Sequence, residues 1–306
     1  MIESSPTYLI RLWTETVWFF LMRILLVPAW IRLLTSRSSN SWLSYDDLLA
    51  LNNQYTTIEK LTPDQELAYQ QKWANRVANI AQIYNSKNIL EVGCGNGLAA
   101  LSLTGTHREI SAVDIVDIRA ARVKQSEVRF SIGDVCKRLP YEDNTFDLLF
   151  SINSFEHFEQ PDAAFRELIR VVRPDGLLFL AFSPIYYSPW GLHASRRLGM
   201  PYPQLLFSPS TIQQYVDQNK EAIAHTYSEF SDRNRISPYL NGYSLMQYRQ
   251  IFNSQKPVLK TLAYVETISL DGMSIIFQYP GVIKSKTQSF ENLFVSGIKV
   301  LARKRV

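Results

Sequence analysis

Three glycines, Gly93, Gly95 and Gly97, stand two residues apart at the end of a short apolar run formed by Ile89, Leu90 and Val92. The helix-prone stretch Leu98-Ala99-Ala100-Leu101 follows at once. A strand, a turn stripped of side chains and a helix start make the ligand-binding corner of a doubly wound α/β sheet, where backbone can touch a ligand because no Cβ intervenes. The spacing narrows the ligand. A dinucleotide turn reads G-x-G-x-x-G, but here the third glycine comes one residue early and Leu98 holds the dinucleotide position. Glu91, two residues before Gly93, would repel a pyrophosphate and suits a ligand with a positive amino group. On its own the stretch also fits an ordinary strand–turn–helix corner.

The downstream strand ends carry the rest of the chemistry. An apolar run over 109–114 ends in Asp114, 21 residues after Gly93. A carboxylate at the end of the second strand, about 20 residues on, offers two oxygens to two neighbouring ribose hydroxyls. Asp117 competes for that role, and Asp114 is preferred because it directly ends the run. Val128–Ile132 reads as a third strand and ends in Gly133-Asp134-Val135, where Asp134 alone reads as a turn or N-cap aspartate. Leu148–Ile152 reads as a fourth strand and runs into Asn153-Ser154-Phe155-Glu156-His157-Phe158. An imidazole titrates near neutrality, so His157 is a candidate general base, with a hydrogen-bonding role in the pocket wall as the alternative. His193, in an aromatic loop with Tyr186, Tyr187 and Trp190, is the second candidate, between substrate contact and lid packing; Glu156 is a weaker third.

The pattern acidic-x-Gly-x-Gly-x-Gly from Glu91 to Gly97 closely resembles motif I of class I S-adenosylmethionine (SAM) methyltransferases. Residues 146–182 resemble the methyltransferase type 11 family, with Phe146-Asp147 opening a strand, Glu156-His157 after it, a helix over 162–172, and Arg173-Pro174-Asp175-Gly176 before a fifth strand, Leu177–Phe182. That family usually has Gly-Gly or Pro-Gly where this chain has Pro174-Asp175-Gly176. The resemblance covers about 88–183 closely and the C-terminal part loosely, and residues 1–60 lie outside it. It implies an α/β, Rossmann-like doubly wound sheet of seven strands, the last antiparallel, covered near the cofactor by the helix that precedes the first strand. It implies SAM as cofactor, held by Glu91, Gly93, Gly95, Gly97, Asp114, Ile115, Asp134, Val135 and Asn153, with Asp134 accepting from the adenine amino group and Val135 packing on the ring. Methyl transfer from a sulfonium is an in-line displacement in which positioning does much of the work. A base is needed only where an oxygen or a protonated nitrogen attacks. The expected acceptor is a small molecule, a lipid-linked intermediate or a glycan precursor. A non-catalytic SAM-binding partner is the rival from another class; a nucleotide-sugar or NAD enzyme is disfavoured by Leu98 and Glu91.

The whole chain agrees with a globular protein, at 46% hydrophobic and 20% charged residues over 306. Its net charge of +4 is uneven: residues 1–40 carry +2 and residues 284–306 carry +5, leaving −3 on the body. A nucleic-acid binder would place a basic face on the domain itself, so that class is excluded. Cys94 and Cys136 have neither metal-ligand spacing nor a disulfide framework and read as reduced packing residues; no metal is expected. Three regions are expected: a hydrophobic helical extension and linker over 1–45, the methyltransferase domain over 46–283 with cap insertions at about 184–208 and 234–253, and a basic tail over 284–306. Residues 8–34 are rich in Trp, Phe and Leu but interrupted by Arg23 and Pro28, so they fall short of the ~20-residue span of a membrane-crossing helix. They suit a helix lying in a membrane interface, or one packed on its own domain or on a second subunit. The expected location is cytoplasmic and peripheral at the membrane, with the oligomeric state open. Thr62-Pro63 predicts a helix start; 258–268 and 273–279 read as the last two strands; 290–305 reads as a basic amphipathic helix or a frayed tail.

Overall fold

In a computed structural model, residues 26–55, 62–105, 108–193, 198–219, 240–287 and 289–306 are described. The first half of the chain runs α1 (Val27–Thr35), α2 (Tyr45–Asn52), α3 (Pro63–Ile83), β1 (Asn88–Val92), α4 (Leu98–Leu101), β2 (Glu109–Asp114), α5 (Ala121–Lys124), β3 (Arg129–Ile132) and β4 (Phe146–Ile152). The second half continues α6 (Pro161–Val171), β5 (Val172–Phe182), α7 (Pro203–Leu206), α8 (Pro209–Gln218), α9 (Leu245–Ser254), β6 (Leu259–Ile268), α10 (Met273–Gln278), α11 (Pro280–Lys286), α12 (Glu291–Phe294) and β7 (Val295–Lys304). The expected helix start at Thr62 is a capping box: the Thr62 hydroxyl accepts from the Gln65 amide while the Gln65 side chain accepts from the Thr62 amide.

Seven strands form one sheet in the order β3-β2-β1-β4-β5-β7-β6. The first five are mutually parallel, and β7 runs antiparallel to both β5 and β6. The chain winds outward from β1 to β3, then returns to place β4 on the other side of β1. That reversal opens a crevice beyond the C-terminal ends of β1 and β4, where doubly wound sheets bind ligands. Alternate residues of β1 serve the two faces. Leu90 and Val92 join a core with Phe155, Phe165, Leu168 and Phe252, and Ile89 joins another with Ala74, Val77 and Ala81 of α3. A third apolar cluster, off the sheet, joins α1 and α2 to residues 198–212 and to α10, α11 and α12.

Five expectations change. Residues 273–279 are a helix, not a strand, because adjacent Ile275 and Ile276 both turn into the third cluster. The strand that completes the sheet comes instead from the expected tail, with Leu180↔Val300 and Val300↔Tyr264 in register. Residues 295–304 therefore belong to the sheet, and Lys304 Nζ donates to the carbonyls of Ile169 and Val172 at 2.8 Å each. Arg173–Gly176 do not form a separate turn but the irregular opening of β5, where a register shift lies between Phe146 and Leu148. The expected cap piece at 234–253 gives α9, whose Tyr248, Ile251 and Phe252 pack into the core beneath the sheet as a layer helix; residues 234–239 lie outside the described residues. At the N-terminus Pro28 opens α1 rather than interrupting it, and Leu26, Ala29 and Leu33 are buried in the third cluster. Residues 8–25 lie outside the described residues. Among the described residues no helix is long and apolar enough to cross a membrane.

Candidate active site

β1 delivers Gly93 to the crevice with φ +71°, and a Cβ there would stand 2.5 Å from the Ser154 Cβ. The missing side chain lets the loop after β4 close onto β1, where the Ser154 hydroxyl donates to the Gly93 carbonyl at 2.7 Å. Gly95 differs. Its φ is +53°, and a Cβ there would meet nothing within 4 Å, so its backbone faces open space. That is the cradle a ligand needs.

Asp114, at the end of β2, holds this turn in place. One carboxylate oxygen accepts from the Gly95 amide at 2.8 Å and the other from the Ile115 amide at 2.7 Å. Each oxygen retains a further lone pair. Asp117 is committed elsewhere, gripped through both oxygens by Arg119 at 2.9 Å, and the guanidinium holds its carboxyl down to about 2. Of the two aspartates, Asp114 binds the glycine turn and Asp117 binds Arg119. Ile115 is 62% exposed beside Asp114 and leaves an open apolar surface at the crevice edge. Asp134 accepts from the Cys136 amide at 2.9 Å and pairs with Lys137 at 3.3 Å, while Val135 is buried in the core.

Glu91 is buried, and one of its oxygens accepts from the Ala100 amide at 2.9 Å, tying β1 to the start of α4. Burial raises its carboxyl to about 8. In the free protein at neutral pH the side chain is thus largely a neutral acid, and the repulsion expected between it and a pyrophosphate is weakened. Burial also pushes the Cys94 and Cys136 thiols up, in keeping with packing roles.

Helix α3 straps over the turn with two side chains that sequence reasoning missed. Glu66 accepts from the Asn96 amide group at 2.8 Å, and the Tyr69 hydroxyl accepts from Asn153 Nδ2 at 2.7 Å. Asn153 sits at φ +49°, and its backbone amide donates to the Ala181 carbonyl. The capped helix start before β1 was the one available signal for the strap; which of its polar residues reach the loops is a tertiary fact.

The loop after β4 makes one 3-10 turn, Phe155–His157. His157 is half-buried there, and the exposed His193, 36 residues later in the chain, stacks on it with ring centroids 5.2 Å apart at 23°. The aromatic loop carrying His193 is fastened at several points. Trp190 Nε1 donates to Asp271 at 2.8 Å, and Gln204 Nε2 donates to the carbonyls of Tyr186 and Ser188. Behind the pair lies Glu156, fully buried, its Oε1 4.0 Å from His157 Nε2. Burial raises this carboxyl to about 8. Asn241 is tied to this turn, its backbone amide donating to the Glu156 carbonyl and its side-chain Nδ2 to the Phe155 carbonyl. His157, three positions past the serine that touches Gly93, therefore meets both His193 and Glu156. Among the described residues no group of three acidic, histidine or cysteine side chains could hold a metal.

The profile of a family described as a methyltransferase domain matches residues 90–180, the span from β1 to the end of β5. Norajmaline N-methyltransferase of Rauvolfia serpentina is 30% identical over 115 residues, covering 34% of this chain and 38% of that protein. Malonyl-[acyl-carrier protein] O-methyltransferase of Porphyromonas gingivalis is 32% identical over 104 residues, 33% of this chain and 40% of that protein. The 27-O-demethylrifamycin SV methyltransferase of Amycolatopsis mediterranei is 27% identical over 128 residues, 39% of this chain and 47% of that protein. The chain thus spans less than half the length of each of these relatives.

Proposed function

We propose that this chain, whose residues 90–180 match a methyltransferase domain, is a class I SAM-dependent methyltransferase that methylates a small-molecule, lipid-linked or glycan-type acceptor. The reading includes a peripheral contact between the apolar segment 8–34 and a membrane surface. The matched relatives are named for norajmaline, malonyl-[acyl-carrier protein] and 27-O-demethylrifamycin SV, which favours acceptors of low mass or held on a carrier. SAM when bound supplies an electrophilic methyl group on a sulfonium. The glycine turn and Asp114 fit such a ligand: an open backbone at Gly95, carboxylate lone pairs facing its ribose, and Ile115 as an apolar surface for its base. Glu91 has one oxygen on the Ala100 amide, and a cationic amino group beside it would favour its charged form. Asp134, Val135 and Asn153 complete the cofactor side, and α3 ties to it through Glu66 and Tyr69.

The observation that carries catalysis beyond mere binding is the stack of His157 on His193. His157 takes the proton of an attacking hydroxyl or ammonium group, and His193, on the outer loop, meets the acceptor. This favours an oxygen or protonated nitrogen as the methylated atom. The test has two parts. S-adenosylhomocysteine should raise the melting temperature, and Asp114→Ala should weaken its binding by about 1.5–3 kcal/mol through lost charge-assisted hydrogen bonds. Turnover should appear on an acceptor panel, and His157→Gln should remove the acid limb of its pH–rate profile. No shift with the ligand at millimolar concentration would overturn the cofactor; binding without any turnover across the panel would favour a non-catalytic SAM-binding partner.

A further inference from the structure

Helix α1 is apolar on two sides. Leu26, Ala29 and Leu33 bury into the third cluster. Val27, Trp30, Ile31 and Leu34 form a second stripe at i, i+3, i+4 and i+7, and they are 43%, 46%, 51% and 55% exposed. Four large apolar side chains in a row on the solvent side exceed what a surface helix of a globular domain shows. Beside the stripe lies an apolar hollow of about 420 Å³, lined by Val27, Trp30, Ile268, Phe290 and Phe294. Trp42 and Phe277 extend the exposed apolar surface nearby.

Two segments that flank this face are basic. Residues 26–44 contain Arg32 and Arg37 and no acid, and residues 280–290 contain Lys284 and Lys286 and no acid. Lys284 Nζ donates to the carbonyls of Leu34 and Ser36 at the C-terminal end of α1, Arg32 Nε reaches the Phe277 carbonyl, and Lys286 Nζ lies 3.6 Å from the centre of the Trp42 ring. The acid that lines the hollow, Glu291, is spent on Arg249 at 2.5 Å. Positive charge therefore sits around the stripe while the body of the chain from 41 to 283 carries −3.

We infer that the outer face of α1, with its basic rim, is a docking surface for an anionic lipid bilayer. The inference rests on the peripheral contact in the functional reading above and names the face that makes it. A helix lying in the interface sinks its apolar side about 5–10 Å while flanking cations meet the headgroups. Trp30 and Trp42 are the residue type that settles at that depth. A protein partner would find the apolar stripe but has no stated need for a rim of four cations, and so charge complementarity selects the lipid. The docking face also communicates with the acceptor side. The cluster that buries the inner side of α1 contains Leu192, next to His193, and Met200. A bilayer held against α1 thus rests on an element that shares a packed cluster with the acceptor loop.

The test uses the full-length protein with vesicles of phosphatidylcholine alone and of phosphatidylcholine mixed with phosphatidylglycerol, in flotation at low and high salt. The wild type should float with the anionic vesicles only, and high salt should release it. Ile31→Asp with Leu34→Asp should lower partition at least ~tenfold, since two apolar side chains no longer enter the interface. Arg32→Glu with Arg37→Glu should abolish the preference for anionic vesicles and guards against misfolding of the first variant. The thermal shift with S-adenosylhomocysteine should be the same in all three proteins; its loss would strike the methyl-transfer reading, not the docking face. Wild type that stays unbound at low salt, variants that float as well as wild type, or a stripe variant that instead dissociates a stable dimer would each overturn the assignment.

Discussion

Glu156 and Glu91 are the two carboxyls that the fold hides most completely, and both are raised to about 8 by burial from an ordinary value of 4.5. The sign of the consequence follows from linkage. Below about 4.5 both side chains are neutral in the folded and unfolded states, so burial costs nothing extra. As pH rises toward 8 the unfolded chain gives up these protons while the folded protein keeps them, and stability falls until the folded groups ionise too; above 8 the curve is flat again. Each group contributes a slope of up to about 1.4 kcal/mol per pH unit in that window. Asp143, Asp147 and Glu167 act the other way. Each carboxyl is held down by its arginine partner, so their stabilisation is present at neutral pH and is lost only as pH falls through the acid range. The ligand-free protein should therefore melt highest in mildly acidic buffer. Glu156→Gln keeps the shape but cannot ionise, so its melting temperature should decline less steeply between pH 5 and 8 than that of the wild type. Parallel curves for the two proteins would show that Glu156 is not held neutral.

At the scale of elements, what could be read in the chain divides by how local its cause is. β1 with its glycine turn and β2 ending in Asp114 were legible because runs of β-type residues end there in glycines and in a carboxylate that holds the turn. The capped start of α3 was legible because Thr62, Pro63 and Gln65 are neighbours. β7 was not. Val300, Leu301 and Ala302 are buried on both faces of a strand with neighbours on each side, and an apolar run buried on both faces has no period-2 signature to separate it from a helix. Its lysines and arginines added a false signal of a surface tail, whereas Lys304 caps the end of α6. The His157–His193 stack was legible only as two residues; their meeting depends on a loop held by Gln204 and Trp190. Glu66 and Tyr69 carried no signal at all, because their partners Asn96 and Asn153 sit on loops that come together only when the sheet closes. An experiment at this scale follows from the position of β7. Deleting residues 295–306 removes the strand between β5 and β6 and leaves both unpaired on that side, so the product should fail to fold as a soluble, cooperatively melting protein. A truncated chain that still binds S-adenosylhomocysteine would show that the five parallel strands stand alone.

At the scale of the whole molecule the chain is a sheet with two conventional cores plus a third cluster that does not touch the sheet's central strands. This third cluster joins the two ends of the sequence: α1 and α2 from the start, α10 to α12 from the finish, and the segment after His193 between them. The organising strand begins only at Asn88, so residues 1–36 lie well before it in the chain. The packing argues for a cost to removing them. Leu26 and Leu33 lie nearly sealed, at 3% and 7% exposure, and burial of a leucine side chain is worth about 1.5–3 kcal/mol. The Lys284 bonds to the end of α1 go as well. Loss of about 3–6 kcal/mol is a large part of the 5–15 kcal/mol that holds a typical domain. The truncated protein should therefore melt roughly 10 °C lower than the full chain, while the glycine turn and Asp114, which draw nothing from α1, keep their affinity for S-adenosylhomocysteine in the cold. Leu33→Ala in the full chain should reproduce part of the loss, about 2–5 kcal/mol, by opening a cavity in the same cluster. Calorimetric melts of the three proteins, with and without the ligand, decide the point. Equal melting temperatures would mean that α1 rests on the cluster without stabilising it, and loss of ligand affinity along with the melting temperature would mean that the third cluster supports the cofactor crevice as well as the acceptor loop.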